Sequence, residues 1–247
     1  MRLINTATLQ IEDFTLRDIP PYAILSHTWG EDEVTFQDMM ICKLDLRTKH
    51  GYDKVVETCR LAMEQDLGYA WVDTCCIDRS SSAELTESIN SMFRYYARSS
   101  ICFAYLVDLH PGMSDESIQA CRWFTRGWTL QELIAPRVLS VYDRCWNYVG
   151  SRDSLIEVIS TTTRIPAAAL SQPWLRGTFS IAERMSWASR RCTTREEDMA
   201  YCLLGIFDIN MSLIYGEGSR AFQRLQEEIL KRVKVARHLV PEQMPFV

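Results

Sequence analysis

Glu132 is the residue of this chain best placed by its neighbours to do chemistry. It lies in the run Cys121-Arg-Trp-Phe-Thr-Arg-Gly-Trp-Thr-Leu-Gln-Glu132, which continues through Leu-Ile-Ala to Pro136. Trp, Arg and Glu are each awkward to bury without a partner, so their clustering favours a lined pocket over a plain core helix. A carboxylate facing such a pocket can stabilise a developing positive charge or handle a proton. The competing reading is local: Thr129-Leu-Gln-Glu132 also has the spacing of a capping box, which would turn Glu132 back onto its own helix.

Other residue sets suggest further chemistry. His27, after an apolar run, and Cys75 or Cys76, after another, would make a base and a thiol nucleophile if their strands are neighbours, with Asp73 orienting the imidazole. Vicinal cysteines in a reducing cell are also ordinary packing residues. Trp29 and Trp128 can stack on a flat ring or simply fill a rim. The turn Tyr215-Gly-Glu-Gly218 has the look of a phosphate loop, although a bare GxG more often serves as a helix cap. No GxGxxG follows a strand, no GxxxxGK[ST] occurs, and the four histidines (His27, His50, His110, His238) show no ligand spacing, so no nucleotide cofactor motif and no metal site is expected.

Composition narrows the class. The 247 residues suffice for one substantial core, and 47% hydrophobic with 24% charged residues is ordinary for a globular protein. A net charge of −5 without a basic run argues against nucleic acid as a partner. Nine cysteines, an odd number with no CxxC pair, point to free thiols in a reducing compartment. The start MRLINTATLQ lacks the layout of a signal peptide, and no apolar stretch approaches the ~20 residues of a membrane span. A cytoplasmic protein is expected.

The elements that must position these residues are legible as an alternation. Tyr22–Ser26, Tyr69–Asp73, Ile101–Val107 and Arg137–Tyr142 are short apolar runs suited to buried strands. Between them, residues 53–66 and 81–97 carry helical spacing, the latter opened by Ser81-Ser-Ala-Glu84. Strands alternating with helices predict an α/β fold, a doubly wound, mostly parallel sheet over residues 1–150. Helical patterns at 154–161, 180–190, 194–206 and 219–233 predict an appended C-terminal helical lobe over 151–235, three of them opened by capping-box spacings at Ser154, Ser180 and Thr194. Residues 236–247 read as a linker or tail. In such sheets ligands bind beyond the carboxyl ends of the strands. That rule gathers Ser26, His27 and Trp29 with Asp73, Cys75 and Asp78 on one rim, beside Arg126, Trp128 and Glu132.

These blocks resemble the fungal heterokaryon-incompatibility (HET) domain family. The resemblance is carried by Tyr22-Ala-Ile-Leu-Ser-His-Thr-Trp-Gly30, Trp71-Val-Asp-Thr-Cys-Cys-Ile-Asp78 and Arg126-Gly-Trp-Thr-Leu-Gln-Glu-Leu-Ile-Ala-Pro136. Glu183–Ser189, Arg195–Phe207 and Leu213–Gly218 extend it over nearly the whole chain. It implies a cell-death effector of self/non-self recognition, cytoplasmic, acting by homotypic self-association and fused to or associated with an NLR-type receptor. The family is also similar, distantly, to TIR domains with their flavodoxin-like sheet. In TIR enzymes a glutamate just after a Trp-containing motif hydrolyses NAD, and Trp128-Thr-Leu-Gln-Glu132 resembles that signature. The resemblance therefore implies an NAD(P) glycohydrolase with Glu132 as catalytic carboxylate, NAD or NADP being substrate and not cofactor. Trp29 or Trp128 would stack on a ring and Arg126 would meet the pyrophosphate. A non-enzymatic adaptor that self-assembles or recruits partners is the alternative.

Overall fold

Each of the four apolar runs is buried on both faces, so each must complete its backbone hydrogen bonds with neighbours in one sheet. The computed structural model describes residues 1–15, 17–41 and 46–239. In chain order β1 (Arg2–Asn5), β2 (Ile11–Asp13), β3 (Ala23–His27), α1 (Phe36–Met40), α2 (Tyr52–Glu64), β4 (Tyr69–Trp71) and the single turn α3 (Asp73–Cys76) come first. Next are α4 (Ser82–Arg98), β5 (Ile101–Tyr105), α5 (Asp115–Gln119), α6 (Thr129–Ile134), β6 (Leu139–Tyr142) and β7 (Tyr148–Ser151). The rest is helical: α7 (Ile156–Thr163), α8 (Ala167–Ser171), α9 (Ile181–Ser186), α10 (Asp198–Tyr201), α11 (Leu204–Phe207) and α12 (Arg220–Leu239).

The seven strands lie in the order β2-β1-β4-β3-β5-β6-β7. The central four are parallel, with Ala23 opposite both Ala70 and Ile101, and Cys102 opposite Leu139. The outer pairs are antiparallel: β1 with β2 and β4, and β6 with β7. The parallel strands therefore run second, first, third, fourth across the sheet, which is a doubly wound order. The β3-to-β4 connection moves one way and the next two move the other. Right-handed crossovers then put α2 on one face and α4 with α6 on the opposite face. Ile24, Leu25, Trp71 and Phe103 are fully buried between these layers. Tyr96 of α4 ties the layers together, its hydroxyl donating to the Leu25 carbonyl at 2.9 Å.

The C-terminal helices pack onto the α4 side. Gly205 of α11 lies so close to α4 that an added Cβ would stand 2.1 Å from the Phe93 Cβ. The pattern expected as one helix over 194–206 is divided into α10 and α11, with the break at Cys202 and Leu203. Of the three expected capping boxes in this region only Ser180–Glu183 forms. Ser154 instead bonds Ser151, and α7 starts later, at Ile156. The expected tail from Ala236 is corrected in part, since α12 continues through Leu239; residues 240–247 lie outside the described residues. Among the described residues no helix is long and apolar enough to cross a membrane.

Candidate functional site

The Glu132 carboxyl does not cap its own helix. Helix α6 begins after Trp128 without any side-chain cap. Thr129, the expected capping hydroxyl, donates to the carbonyls of Trp123 and Arg126 at 2.5 and 2.9 Å. Glu132 reaches across the interface to the sheet, where its Oε2 accepts from the Ser26 hydroxyl at 2.5 Å. The Trp123 Nε1–H, a donor only, takes a lone pair of the Ser26 Oγ at 2.8 Å, leaving the serine proton for the carboxyl. Burial pushes the Glu132 carboxyl up to about 8. The Ser26 bond pulls the other way, the Asp73 charge adds to the rise, and Arg126 offsets part of it.

Glu132 opens onto a cavity of about 400 Å³ bordered by β3, α3, α4, α6 and the C-terminal helices. Its wall includes His27, Trp29, Asp73, Arg79, Arg126, Trp128, Arg195, Asp198 and Tyr215. Asp73, at the start of the turn after β4, accepts from His27 Nε2 through Oδ1 and from Trp29 Nε1 through Oδ2, both at 3.0 Å. Burial alone would raise this carboxyl. The hydrogen bonds of His27 and Trp29, with the charge of Arg79, prevail and hold it below the usual carboxylate range. The pocket thus contains two carboxyls pushed in opposite directions, a pattern typical of sites that divide acid and anion roles.

The cations are disposed differently from one another. Arg79 covers the Trp29 ring, its guanidinium carbon 3.8 Å from the ring centroid. One face of that indole is therefore already taken, which leaves Trp128 the freer stacking surface. Arg195 lies over Tyr215 at 4.6 Å, and the Tyr215 hydroxyl bonds Asp198 at 3.0 Å. The Arg126 guanidinium lines the cavity and, among the described residues, makes no hydrogen bond or ion pair. Arg79, Arg195 and Asp198 were not singled out from sequence, and Tyr215 only as the start of the expected phosphate-loop turn. Arg195, Asp198 and Tyr215 lie in the long blocks quoted above and Arg79 just after one, but nothing local marks them as pocket residues.

Three of the expected rim residues do not line this cavity: Ser26, which is fully buried behind Glu132, Cys75 and Asp78. Cys75 is fully buried, its thiol bonded to the Val34 carbonyl at 3.3 Å, and burial raises it well above the ordinary thiol range. Cys76 is likewise pushed up to about 12. With both His27 nitrogens engaged elsewhere, no thiol–imidazole pair exists. Asp78 closes the turn ahead of α4, accepting from the Ser80 N–H and hydroxyl at 2.9 and 2.6 Å and from Gln37 at 2.7 Å. The Gly216 and Gly218 amides, the expected phosphate-loop donors, point at Glu197 Oε1 at 2.7 and 3.1 Å. That loop holds an internal carboxylate and so latches the pocket wall.

What aims α6 is a clamp from far along the chain. The Cys192 N–H donates to the Thr125 carbonyl at 2.7 Å and the Gly127 N–H to the Cys192 carbonyl at 2.8 Å. Buried Arg191 reinforces it, one nitrogen donating to the Arg126 carbonyl at 2.7 Å and the Thr129 hydroxyl at 2.8 Å. The approach requires glycine at 127: an added Cβ would stand 2.4 Å from the Thr193 Cγ2.

Residues 22–121 match the family described as Heterokaryon incompatibility protein (HET), a span that holds Ser26, His27, Trp29 and Asp73 and ends before α6. The chain is 46% identical over 231 residues to the Vegetative incompatibility protein HET-E-1 of Podospora anserina, covering 89% of this chain and 17% of that protein. The chain therefore spans less than a fifth of that relative's length. No solved structure matches.

Proposed function

From the premise that this chain belongs to the heterokaryon incompatibility family, we propose that it is an effector of vegetative incompatibility that hydrolyses the N-glycosidic bond of a nicotinamide dinucleotide. The observation that carries the reading is the Glu132 carboxyl, turned into a cavity instead of onto its own helix. An anionic Asp73 on the same wall favours a ligand bearing a cationic ring. Arg126 and Arg195 are the groups suited to a pyrophosphate, and Trp128 offers a face for stacking.

The chemistry then follows from charge. In the empty pocket burial keeps Glu132 protonated near neutral pH. A cationic nicotinamide ring placed beside it favours the ionised form, so binding and deprotonation are linked. The C–N bond breaks with its electron pair going to the ring, which leaves as neutral nicotinamide. No general acid is needed for that departure. The carboxylate stabilises the oxocarbenium-like ribose, water adds to its anomeric carbon, and one proton is released to the carboxylate and then to solvent.

The test is nicotinamide release by the purified protein, including under conditions that promote self-association. Glu132→Gln keeps the Ser26 acceptor and the shape of the side chain, and it should lower turnover by about a thousandfold or more. Turnover retained in that variant rejects the role of Glu132. A wild-type protein that kills cells without lowering their NAD supports the adaptor reading instead.

A further inference from the structure

We propose that Lys54, which faces away from the substrate cavity, is a positioning residue of the site: it fixes His27 in one tautomer and through it aims the Asp73 carboxylate. Lys54 projects from α2, on the opposite face of the sheet from Glu132, and is 9% exposed. Its three ammonium protons have three acceptors: the Glu33 carboxylate, the Thr28 carbonyl at 3.2 Å and the His27 Nδ1 at 3.3 Å. An ammonium can only donate, so Nδ1 must accept and the imidazole proton resides on Nε2. That proton is the one given to Asp73 Oδ1 at 3.0 Å. Asp73 in turn holds Trp29 through its other oxygen.

The chain of contacts closes on itself. Glu33 Oε1, besides taking Lys54, accepts from the Gly30 N–H at 2.6 Å, next to Trp29. Glu33 is held from behind by the start of α2, where a Cβ on Gly51 would stand 2.7 Å from the Glu33 Cα. Five side chains on two faces of the sheet, closed through the Gly30 amide, thus form a ring whose outcome is a single orientation of Asp73 and Trp29 in the pocket. The ring also explains why His27, although it borders the cavity, offers no nitrogen to a ligand. Lys54 and Glu33 border a second cavity, of about 790 Å³, on the α2 side, so the Lys54–His27 contact joins the linings of the two.

The inference concerns the pocket itself, and only its kinetic arm rests on the nicotinamide reading. Histidine-¹⁵N spectra of the whole protein at neutral pH, with His27→Gln assigning the signal, should show an unprotonated Nδ1 and a protonated Nε2 for His27. The double variant Glu33→Gln, Lys54→Met removes both buried charges together so that neither is stranded. With no donor left at Nδ1, that nitrogen can take a second proton while Nε2–H still bonds Asp73, so the unprotonated-Nδ1 signature should be lost, whereas Lys54→Arg, still a donor, should keep it. A protonated Nδ1 in the wild type, or an unchanged His27 signature in the folded double variant, overturns the proposal. For nicotinamide release, kcat/KM should fall on the order of ten- to a hundredfold in the double variant and largely return in Lys54→Arg. If the wild type releases no nicotinamide, the substrate reading fails while the spectra still decide the role of Lys54.

Discussion

Ser26 and Glu132 are separated by 106 positions in sequence and joined by a 2.5 Å hydrogen bond. The bond pins a helical carboxyl to the last turn-facing hydroxyl of β3, and Trp123 fixes the hydroxyl from the other side. Ser26→Ala should therefore act twice. It strands the buried Trp123 N–H, at a cost of about 1–3 kcal/mol in denaturant unfolding. It also removes a contact that lowers the Glu132 carboxyl. The pH at which nicotinamide release switches on should move upward, and a profile that stays in place would show that the hydroxyl does not bear on the carboxyl.

The ionised carboxylate is the working form in the scheme proposed here. For wild-type protein kcat/KM should rise with pH through about 8 and then level, because that ratio reports the free enzyme. Asp73→Asn removes a charge that raises Glu132, so the rise should shift to lower pH. The two variants at Ser26 and Asp73 are thus predicted to move one limb in opposite directions. Shifts of the same sign would reject the assignment of that limb to Glu132.

Stability should carry the same signature with a definite sign. In the unfolded chain Glu132 titrates near the ordinary 4.5, and in the folded chain burial pushes it up to about 8. Between those values the folded state binds more protons, so ionisation favours unfolding and the contribution of Glu132 declines as pH rises through the window. Comparing wild type with Glu132→Gln cancels most other groups. The variant should gain relative stability from pH 4.5 to 8, by on the order of 3 kcal/mol. A pH-independent difference in unfolding free energy would mean that the carboxyl is solvated.

Much of the sheet was legible from sequence because β3, β4, β5 and β6 are buried on both faces and so appear as continuous apolar runs. The β1–β2 hairpin was not. Its reversal uses no glycine or proline: Leu9 adopts the left-handed conformation at φ 57°, and the Asn5 side chain accepts from the Ala7 and Thr8 amides. β7 is hidden in the same way, since the turn before it is built on the Asp143 carboxylate with Trp146 at φ 61°. In the site, Glu132, Asp73 and Trp29 were readable as polar residues at strand ends or in an aromatic run. Arg195, Asp198 and Tyr215 come from the start of α10 and the loops around the C-terminal helices, and only tertiary packing makes them neighbours of β3. Glu197 shows the opposite failure: its spacing from Thr194 is that of a capping box, yet the Gly216 and Gly218 amides compete for it and win.

Thiol chemistry can be tested directly. Iodoacetamide at neutral pH should modify the exposed Cys145 and Cys192 first, while Cys75 and Cys76 remain unlabelled in the folded protein. Both buried thiols are raised by desolvation, so little thiolate is present to react. Peptide mass spectrometry after timed labelling gives the order. Nicotinamide release should survive labelling; loss of activity that tracks modification of Cys75 or Cys76 would restore the thiol mechanism.

Gly127→Ala tests whether the distant clamp positions Glu132. The added methyl would meet the Thr193 Cγ2 at 2.4 Å and the Cys202 Sγ at 3.1 Å. Threonine 193 belongs to the clamp backbone, so relief requires the 125–127 and 191–193 segments to part. Overpacking of this kind costs about 1–3 kcal/mol, which a thermal melt will register. The more telling result is functional. Parting the segments pulls on the Gly127 amide and the Thr129 hydroxyl, the two groups that set the start of α6. Displacement of α6 by even an ångström moves the Glu132 carboxyl off Ser26, and turnover should fall on the order of a hundredfold. Gly205→Ala, a comparable clash against Phe93, neither residue lining the cavity, is the control: it should lose stability by a similar amount but retain activity in the fraction that remains folded.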